Sequence, residues 1–228
     1  MNSATSSAVS APLAAPDHLL NISKLAAAPL QRDPYDHLLV EGFLDPEVVD
    51  AINHDYPQIP SAGNKDYESY AHGPVFDAFI EQLTSPAMCK ALGEKFGVDL
   101  TDCTTTVTVR TFSELSDGNI HTDHWSKLVT VLVYFNEGWE GDGGQLRILR
   151  SKDDIEDYAR QIPPLAGSLT AFRRCDHSYH GYVRYAGPRR MVQMSWNRST
   201  KMAGLSQNLS RFATRVMKLV TRGSGRQM

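Results

Sequence analysis

The chain has 228 residues, 41% of them hydrophobic and 21% charged, a size and balance that suit one globular domain and exclude a fibrous, wholly disordered or membrane-embedded chain. Its longest apolar stretches, such as residues 128–135, are strand-length and fall well below the roughly 20 residues a spanning helix needs. The formal charge of -3 hides an asymmetry: Arg198, Lys201, Arg211, Arg215, Lys218, Arg222 and Arg226 follow Asn197 with no acid among them. The first 197 residues then carry a balance of -10 (23 less 7 basic against 26 acidic side chains), which argues against a nucleic-acid partner and directs any anionic partner to the C-terminus.

Residues 1–30 are expected to be a disordered tail. The first sixteen are rich in Ala, Ser and Pro and have neither the basic start nor the apolar core of a secretory signal. Cys89, Cys103 and Cys175 are scattered without CxxC spacing, so neither a disulfide framework nor a zinc site follows, and a cytoplasmic protein is expected. The domain is expected over 31–200. Residues 35–43 read as a strand, and Asp45-Pro46-Glu47 starts a helix that runs to Tyr56. Residues 61–73 read as loop, and 74–96 as one or two helices with Val75, Phe79, Leu83, Met88, Leu92 and Phe96 at helical spacing.

From Thr104 the pattern changes to short β-branched and aromatic runs at 104–112, 127–135, 145–149, 168–173, 181–185 and 189–197, separated by turn clusters such as GDGG at 141–144 and AGP at 186–188. The expected fold is mainly β with N-terminal helices: helical support over 44–100 and a β-sandwich or jelly-roll core over 104–198. Residues 201–228 read as a basic C-terminal helix and tail, with Leu205, Leu209, Phe212, Val216 and Leu219 on one face. Such a helix either docks on the body or meets an anionic membrane surface, leaving the protein cytoplasmic or peripheral at the membrane.

The chemistry-bearing residues begin with His121 and Asp123. In extended chain, residues i and i+2 point the same way, so an imidazole and a carboxylate can meet at one point. Alone the triplet is weak, because a surface loop such as SDGNIHTDH accepts both residues anyway. A later histidine, His180, and an arginine beyond it in HGYVRYAGPRR strengthen it. Two histidines and one carboxylate on one face of an octahedral metal leave three positions open, as in Fe(II) oxygenases, and an arginine can hold a dicarboxylate cosubstrate through a bidentate pair.

With HTD at 121–123, VLVYFNEGW at 131–139, GGQLRI at 143–148, GSLTAF at 167–172, SYHGY at 178–182 and PRRMVQMSW at 188–196, the chain resembles the 2-oxoglutarate- and Fe(II)-dependent dioxygenases of the prolyl-hydroxylase type. PYDHLLVEGFLDPEVVDAINHDYP at 34–57 is similar to the opening strand and helix of that family, so the likeness spans about residues 34–198. It implies a double-stranded β-helix core, with His121, Asp123 and His180 as iron ligands and catalytic centre. It also implies Arg190 on the distal carboxylate of 2-oxoglutarate, Tyr134 donating to the same carboxylate, and Leu146 and Trp196 walling the cosubstrate pocket. Trp196 lies six residues after Arg190, so the two share a strand face, which favours Arg190 over Arg189; a bulge in the GPRR turn would reverse that choice.

His177 is the rival third ligand, disfavoured by its distance from either arginine. His124 and Trp125 either touch substrate or anchor the loop, Arg110 and Lys127 either line the mouth or face solvent, and residues 137–144 read as a polar turn. The implied cosubstrates are 2-oxoglutarate and dioxygen, with ascorbate as a candidate reductant. The implied reaction is hydroxylation of an unidentified small-molecule, carrier-linked or protein substrate, with release of succinate and CO2. Asp123 argues against halogenation, which needs a small residue there. A cupin-like metal enzyme that does not use 2-oxoglutarate and a non-enzymatic jelly-roll binding module are the competing readings.

Overall fold

A computed structural model describes residues 18–199. Four α-helices, α1 (Ile22–Ala27), α2 (Pro46–His54), α3 (Pro74–Leu83) and α4 (Pro86–Phe96), precede or interleave with eight strands: β1 (His37–Val40), β2 (Thr104–Ser113), β3 (Lys127–Tyr134), β4 (Leu146–Leu149), β5 (Tyr158–Ile162), β6 (Leu169–Arg173), β7 (His180–Gly181) and β8 (Gly187–Asn197). The expected helix over 205–220 lies outside the described residues. No helix among those described is long and apolar enough to cross a membrane.

The helices end where the chain chemistry dictates. The run from 74 to 96 is two helices, because Ser85 caps α4 by accepting a hydrogen bond from the Met88 N–H at 3.3 Å and Pro86 occupies its first turn. Gly97, at φ +63°, closes α4 in the left-handed conformation. The tail expected over 1–30 needs correction at its C-terminal end: α1 packs on α4, Leu19 and Leu25 are buried, and Lys95 Nζ donates to the carbonyls of Ala26 and Ala28 at the end of α1. The folded body therefore includes residues before 31.

The strands form two sheets, one ordered β1-β6-β3-β8-β2 and the other β5-β4-β7. This is the jelly-roll expected from the short, turn-separated runs. Every ladder within the two sheets is antiparallel. In the larger sheet the two faces have different partners. Val129, Val131 and Val133 of β3, Leu169 and Ala171 of β6, and Val192, Met194 and Trp196 of β8 join the helical residues Phe76, Phe79 and Leu92 in the main core. The opposite face, with Leu132, Tyr134, Phe172 and Met191, closes on Leu146, Ile148 and Ile162 of the smaller sheet. The functional cavity opens between the sheets on that second face.

Candidate active site

His121 and His180 are brought together by backbone pairing before any side-chain contact is considered. They face each other as an isolated antiparallel bridge, with His121 N–H donating to the His180 carbonyl at 3.0 Å and His180 N–H donating back at 2.9 Å. Directly opposed residues project to the same side of a ladder, and the rings lie 4.4 Å apart, centroid to centroid. Each Nδ1 lies against a carbonyl, that of Asn119 at 2.8 Å and that of Ser178 at 3.0 Å. A carbonyl only accepts, so both rings carry their proton on Nδ1 and present Nε2 as a lone pair. The residue after the distal histidine must be small, since a Cβ on Gly181 would meet the Gly118 carbonyl at 2.8 Å.

Asp123 completes a cluster in which one ligand atom from each of the three residues lies within 4.8 Å of the others. One carboxylate oxygen accepts from Lys127 Nζ at 2.7 Å and the other from the Thr130 hydroxyl at 2.5 Å, with Ser195 Oγ a further 3.2 Å beyond. Burial alone would push this carboxyl up. The His180 ring, the Lys127 ammonium and the Thr130 hydrogen bond outweigh burial and hold it below the usual carboxylate range. Burial and the adjacent His121 ring lower His180 to about 4, against the opposing pull of Asp123. The cluster is thus an anionic carboxylate and a neutral imidazole at neutral pH, the protonation states a divalent metal requires.

The same shift has a consequence for stability. Folded His180 takes up its proton near pH 4 and an unfolded histidine near pH 6.5, so between those values the unfolded chain binds more protons. The contribution is fully present above pH 6.5 and is lost as the pH falls toward 4. Thermal melts of metal-free protein should therefore show up to about 3 kcal/mol of stability disappearing across that window. A flat profile there would contradict the burial of a neutral ring.

The cavity holding the cluster measures about 470 Å³ and is walled by Leu146, Phe172 and Met191, with Arg110, Lys127, Arg189 and Gln193 also facing it. Leu146 stands where the resemblance put it. Arg190 and Trp196 do not. They do share a strand face, but that face packs on the helices: Trp196 is 1% exposed in the main core, and Arg190 donates to Asn53 Oδ1 at 3.1 Å and lies 5.5 Å from the Tyr56 ring centroid. Strand parity had grouped the two correctly and assigned the group to the wrong side. The β2–β8 ladder shifts register here, Arg110 pairing with Met191 and Phe112 with Pro188, which leaves an extra β8 residue at Arg189–Arg190, and Arg189 lines the cavity with Met191 and Gln193.

Arg189 is 2% exposed. Its Nε donates to the Gly144 carbonyl at 2.9 Å and its Nη1 reaches Met191 Sδ at 3.0 Å, with the guanidinium 5.6 Å from the Tyr134 ring centroid and 4.5 Å from that of Tyr182. Among the described residues no carboxylate forms an ion pair with it. Among the described residues the buried Tyr134 hydroxyl and Thr170 Oγ1 have no hydrogen-bond partner, Thr170 lying on the same face of β6 as Phe172. Burial pushes Tyr134 up to about 12, partly offset by the Arg189 charge, so it stays a neutral donor. A buried cation and two orphaned hydroxyls on one face are costly unless an anion joins them.

Gly144 places the carbonyl that orients Arg189, which gives the 137–144 segment a role beyond that of a polar turn. Its φ is +76°, and a Cβ there would meet the Trp139 ring at 2.5 Å; that ring is fixed by donating to the Gly143 carbonyl and by packing at 4.7 Å on Tyr185. Gly144→Ala should weaken cosubstrate binding about 10-fold or more, measurable by titration of the metal-loaded protein; unchanged binding would detach Arg189 from this turn.

Arg110 is buried rather than solvent-facing. It donates to Asp117, Ser113, Asn64 and Tyr182, tying the loop that carries His121 to β2. His124 turns back to Ser126 and stacks on Trp125, so neither joins the cluster. His177 is exposed and outside it. Sequence reading missed Thr130 and Thr170 as site residues, although polar side chains inside the apolar runs LVTVLVY and SLTAF are a visible signal.

Residues 110–198 match the model of the 2OG-Fe(II) oxygenase superfamily. No curated protein matches the chain. Among solved structures, prolyl 4-hydroxylases from Phytophthora capsici are similar at TM-score 0.55 and 16% identity, over 81% of this chain and 68% of theirs. A prolyl hydroxylase from Trichoplax adhaerens, solved with a hypoxia-inducible-factor peptide fragment, follows at 0.50 and 15%, over 77% and 88%. A Pseudomonas putida prolyl-4-hydroxylase aligns over 83% and 97% at 20% identity and TM-score 0.48. At such identities the likeness is one of fold. The family match covers the jelly-roll residues that carry His121, Asp123, His180 and Arg189. The chain is a 2-oxoglutarate-dependent Fe(II) dioxygenase, with Fe(II), 2-oxoglutarate and dioxygen as its cofactor set.

Proposed function

We propose that the protein hydroxylates a C–H bond of its substrate, with His121, Asp123 and His180 holding the iron and Arg189 holding the far carboxylate of 2-oxoglutarate. The observation that carries this reading is the buried Arg189, which has no carboxylate partner among the described residues, lies in the same cavity as the triad and sits against Tyr134, whose hydroxyl has no hydrogen-bond partner. A dicarboxylate would supply the missing counter-charge and accept from the Tyr134 hydroxyl.

When bound, Fe(II) and 2-oxoglutarate supply the oxidation: one atom of dioxygen leaves in succinate, formed with CO2 from 2-oxoglutarate, and the other enters the substrate as hydroxyl. The chain supplies position. The two Nδ1–carbonyl contacts fix both imidazole planes, and Thr130 and Lys127 fix the carboxylate, so that three side chains would hold the metal and leave room on it for cosubstrate and dioxygen. Leu146, Phe172 and Met191 exclude water around the cosubstrate chain. The substrate is a small molecule, a carrier-linked metabolite or a protein side chain that enters past the 116–119 loop. Three free cysteines among the described residues support a reducing, cytoplasmic setting.

Anaerobic addition of Fe(II) and then 2-oxoglutarate should give a weak visible charge-transfer band. In air, with ascorbate present, succinate should form and should form faster with a true substrate. A metal-dependent activity without the band would favour a cupin-like enzyme that does not use 2-oxoglutarate. Absence of band and succinate together would leave a binding module.

A further inference from the structure

Tyr182 follows the two-residue strand β7 and takes no part in the metal cluster. Its contacts nonetheless join three parts of the cavity wall. Its N–H donates to the Gly118 carbonyl at 3.0 Å, and its ring packs so closely on the loop that a Cβ on Gly118, at φ +88°, would meet a ring carbon at 2.6 Å. The hydroxyl lies 3.3 Å from both Arg110 Nη1 and Ser113 Oγ of β2. The Arg189 guanidinium of β8 lies over the same ring, 4.5 Å from its centroid.

The loop side of this arrangement is held by charge. Arg110 Nη1 donates to Asp117 Oδ2 at 2.6 Å, and the same oxygen accepts from the Glu114 N–H at 2.9 Å, which folds the start of the loop on itself. Burial would raise the Asp117 carboxyl; the Glu114 N–H, the Arg110 guanidinium and the charge of Arg189 together hold it below the usual carboxylate range. Arg189 is thus felt at the loop, although the ion pair of Asp117 is made with Arg110.

The cosubstrate side depends on the ring. Among the described residues Arg189 has no carboxylate to set the angle of its fork. It is oriented by the Gly144 carbonyl on Nε, the Met191 sulfur on Nη1 and the rings of Tyr134 and Tyr182, of which Tyr182 is the nearer. A guanidinium stacked on a ring holds its donors in one plane, the condition for a bidentate grip on a carboxylate. The ring in turn stands where its hydroxyl meets Arg110, the partner of Asp117.

We propose that Tyr182 is a positioning residue that ties the fork of Arg189 to the 114–119 loop, so that 2-oxoglutarate binds tightly only while Arg110 and Asp117 hold that loop against the ring. The inference rests on the assignment of Arg189 to the far carboxylate. Because coupling is reciprocal, cosubstrate held by Arg189 steadies the same loop past which the substrate enters.

The test is anaerobic titration of the Fe(II)-loaded protein with 2-oxoglutarate in Tyr182→Phe, Asp117→Ala and the double variant. Each single change should weaken binding about fivefold and the double change no further, the pattern of residues acting through one link. Independent losses that multiply to about 25-fold in the double variant would overturn the proposal. So would wild-type affinity in Tyr182→Phe, the behaviour of a side chain that only fills space, since phenylalanine keeps the ring. A second measurement uses neither metal nor cosubstrate: amide exchange at residues 114–119 should be about tenfold faster in Tyr182→Phe than in the wild type, and equal exchange would remove the link to the loop. Failure of the Arg189 assignment looks different. Arg189→Ala would then bind 2-oxoglutarate as the wild type does, which would overturn the cosubstrate arm, while exchange at the loop would still respond to Tyr182→Phe.

Discussion

Arg189→Ala is expected to weaken 2-oxoglutarate binding about 100-fold, the scale set by removing one partner of a buried charge-assisted pair. Arg190→Ala should leave the same titration within about twofold, since its guanidinium sits on the other face against Asn53 and Tyr56. The asymmetry follows from what each group lacks. Arg190 already has a side-chain acceptor and an aromatic face, whereas Arg189 has a carbonyl on Nε, a sulfur on Nη1 and no carboxylate among the described residues. Arg189→Lys should recover only part of the loss, because a single ammonium cannot reproduce the fork. Anaerobic titration of the charge-transfer band in all three variants decides the matter. A large loss in Arg190→Ala with none in Arg189→Ala would reverse the assignment.

Asp123→Ala is expected to remove iron binding at micromolar metal and to lower succinate formation by about a thousandfold or more, because it takes away the only anionic ligand of an otherwise neutral set. Thr130→Val should be milder, about 10- to 100-fold in metal affinity, since it removes the hydroxyl that fixes one carboxylate oxygen while leaving the ligand in place. The order of the two effects matters more than either value. Bound iron measured after desalting, alongside succinate yield, reads both, and wild-type iron content in Asp123→Ala would remove the carboxylate from the site.

The larger sheet explains how much of this the sequence could carry. Six core strands of the jelly-roll announced themselves because buried β-strands need apolar, branched runs. β5 did not, since YARQI is mostly half-exposed at a sheet edge and has no such run. The expected strand at 181–185 shrank to His180–Gly181 because the following residues leave the ladder, with Val183 accepting from the Gly144 N–H. α1 was hidden in a composition shared with a tail.

Of the candidate ligands, His121 and Asp123 were legible because i and i+2 share one side of extended chain, whereas His180 is distant in sequence and came in only through the HGYVRYAGPRR segment and the resemblance. The arginine was not, because parity along β8 says which residues share a side and says nothing about which side the helices cover. The deciding signal was nonetheless in the strand. Val192, Met194 and Trp196 alternate with Gln193 and Ser195, and an apolar set facing helices leaves the polar set, Arg189 included, for the cavity.

The reciprocal hydrogen bonds between His121 and His180 bear on how the folded state responds to its metal. One ligand pair sits on a long loop between β2 and β3 and the other ligand on a two-residue strand, so this end of the molecule is held by little regular structure. A metal ion bound across that junction acts as a clasp whose strength is set by mass action. At a free concentration one hundred times its dissociation constant it adds about 2.7 kcal/mol to the folded state. The junction around the loop is where that gain is felt, so iron depletion should first loosen residues 114–126, seen as faster amide exchange there while the helical side of the sheet stays protected.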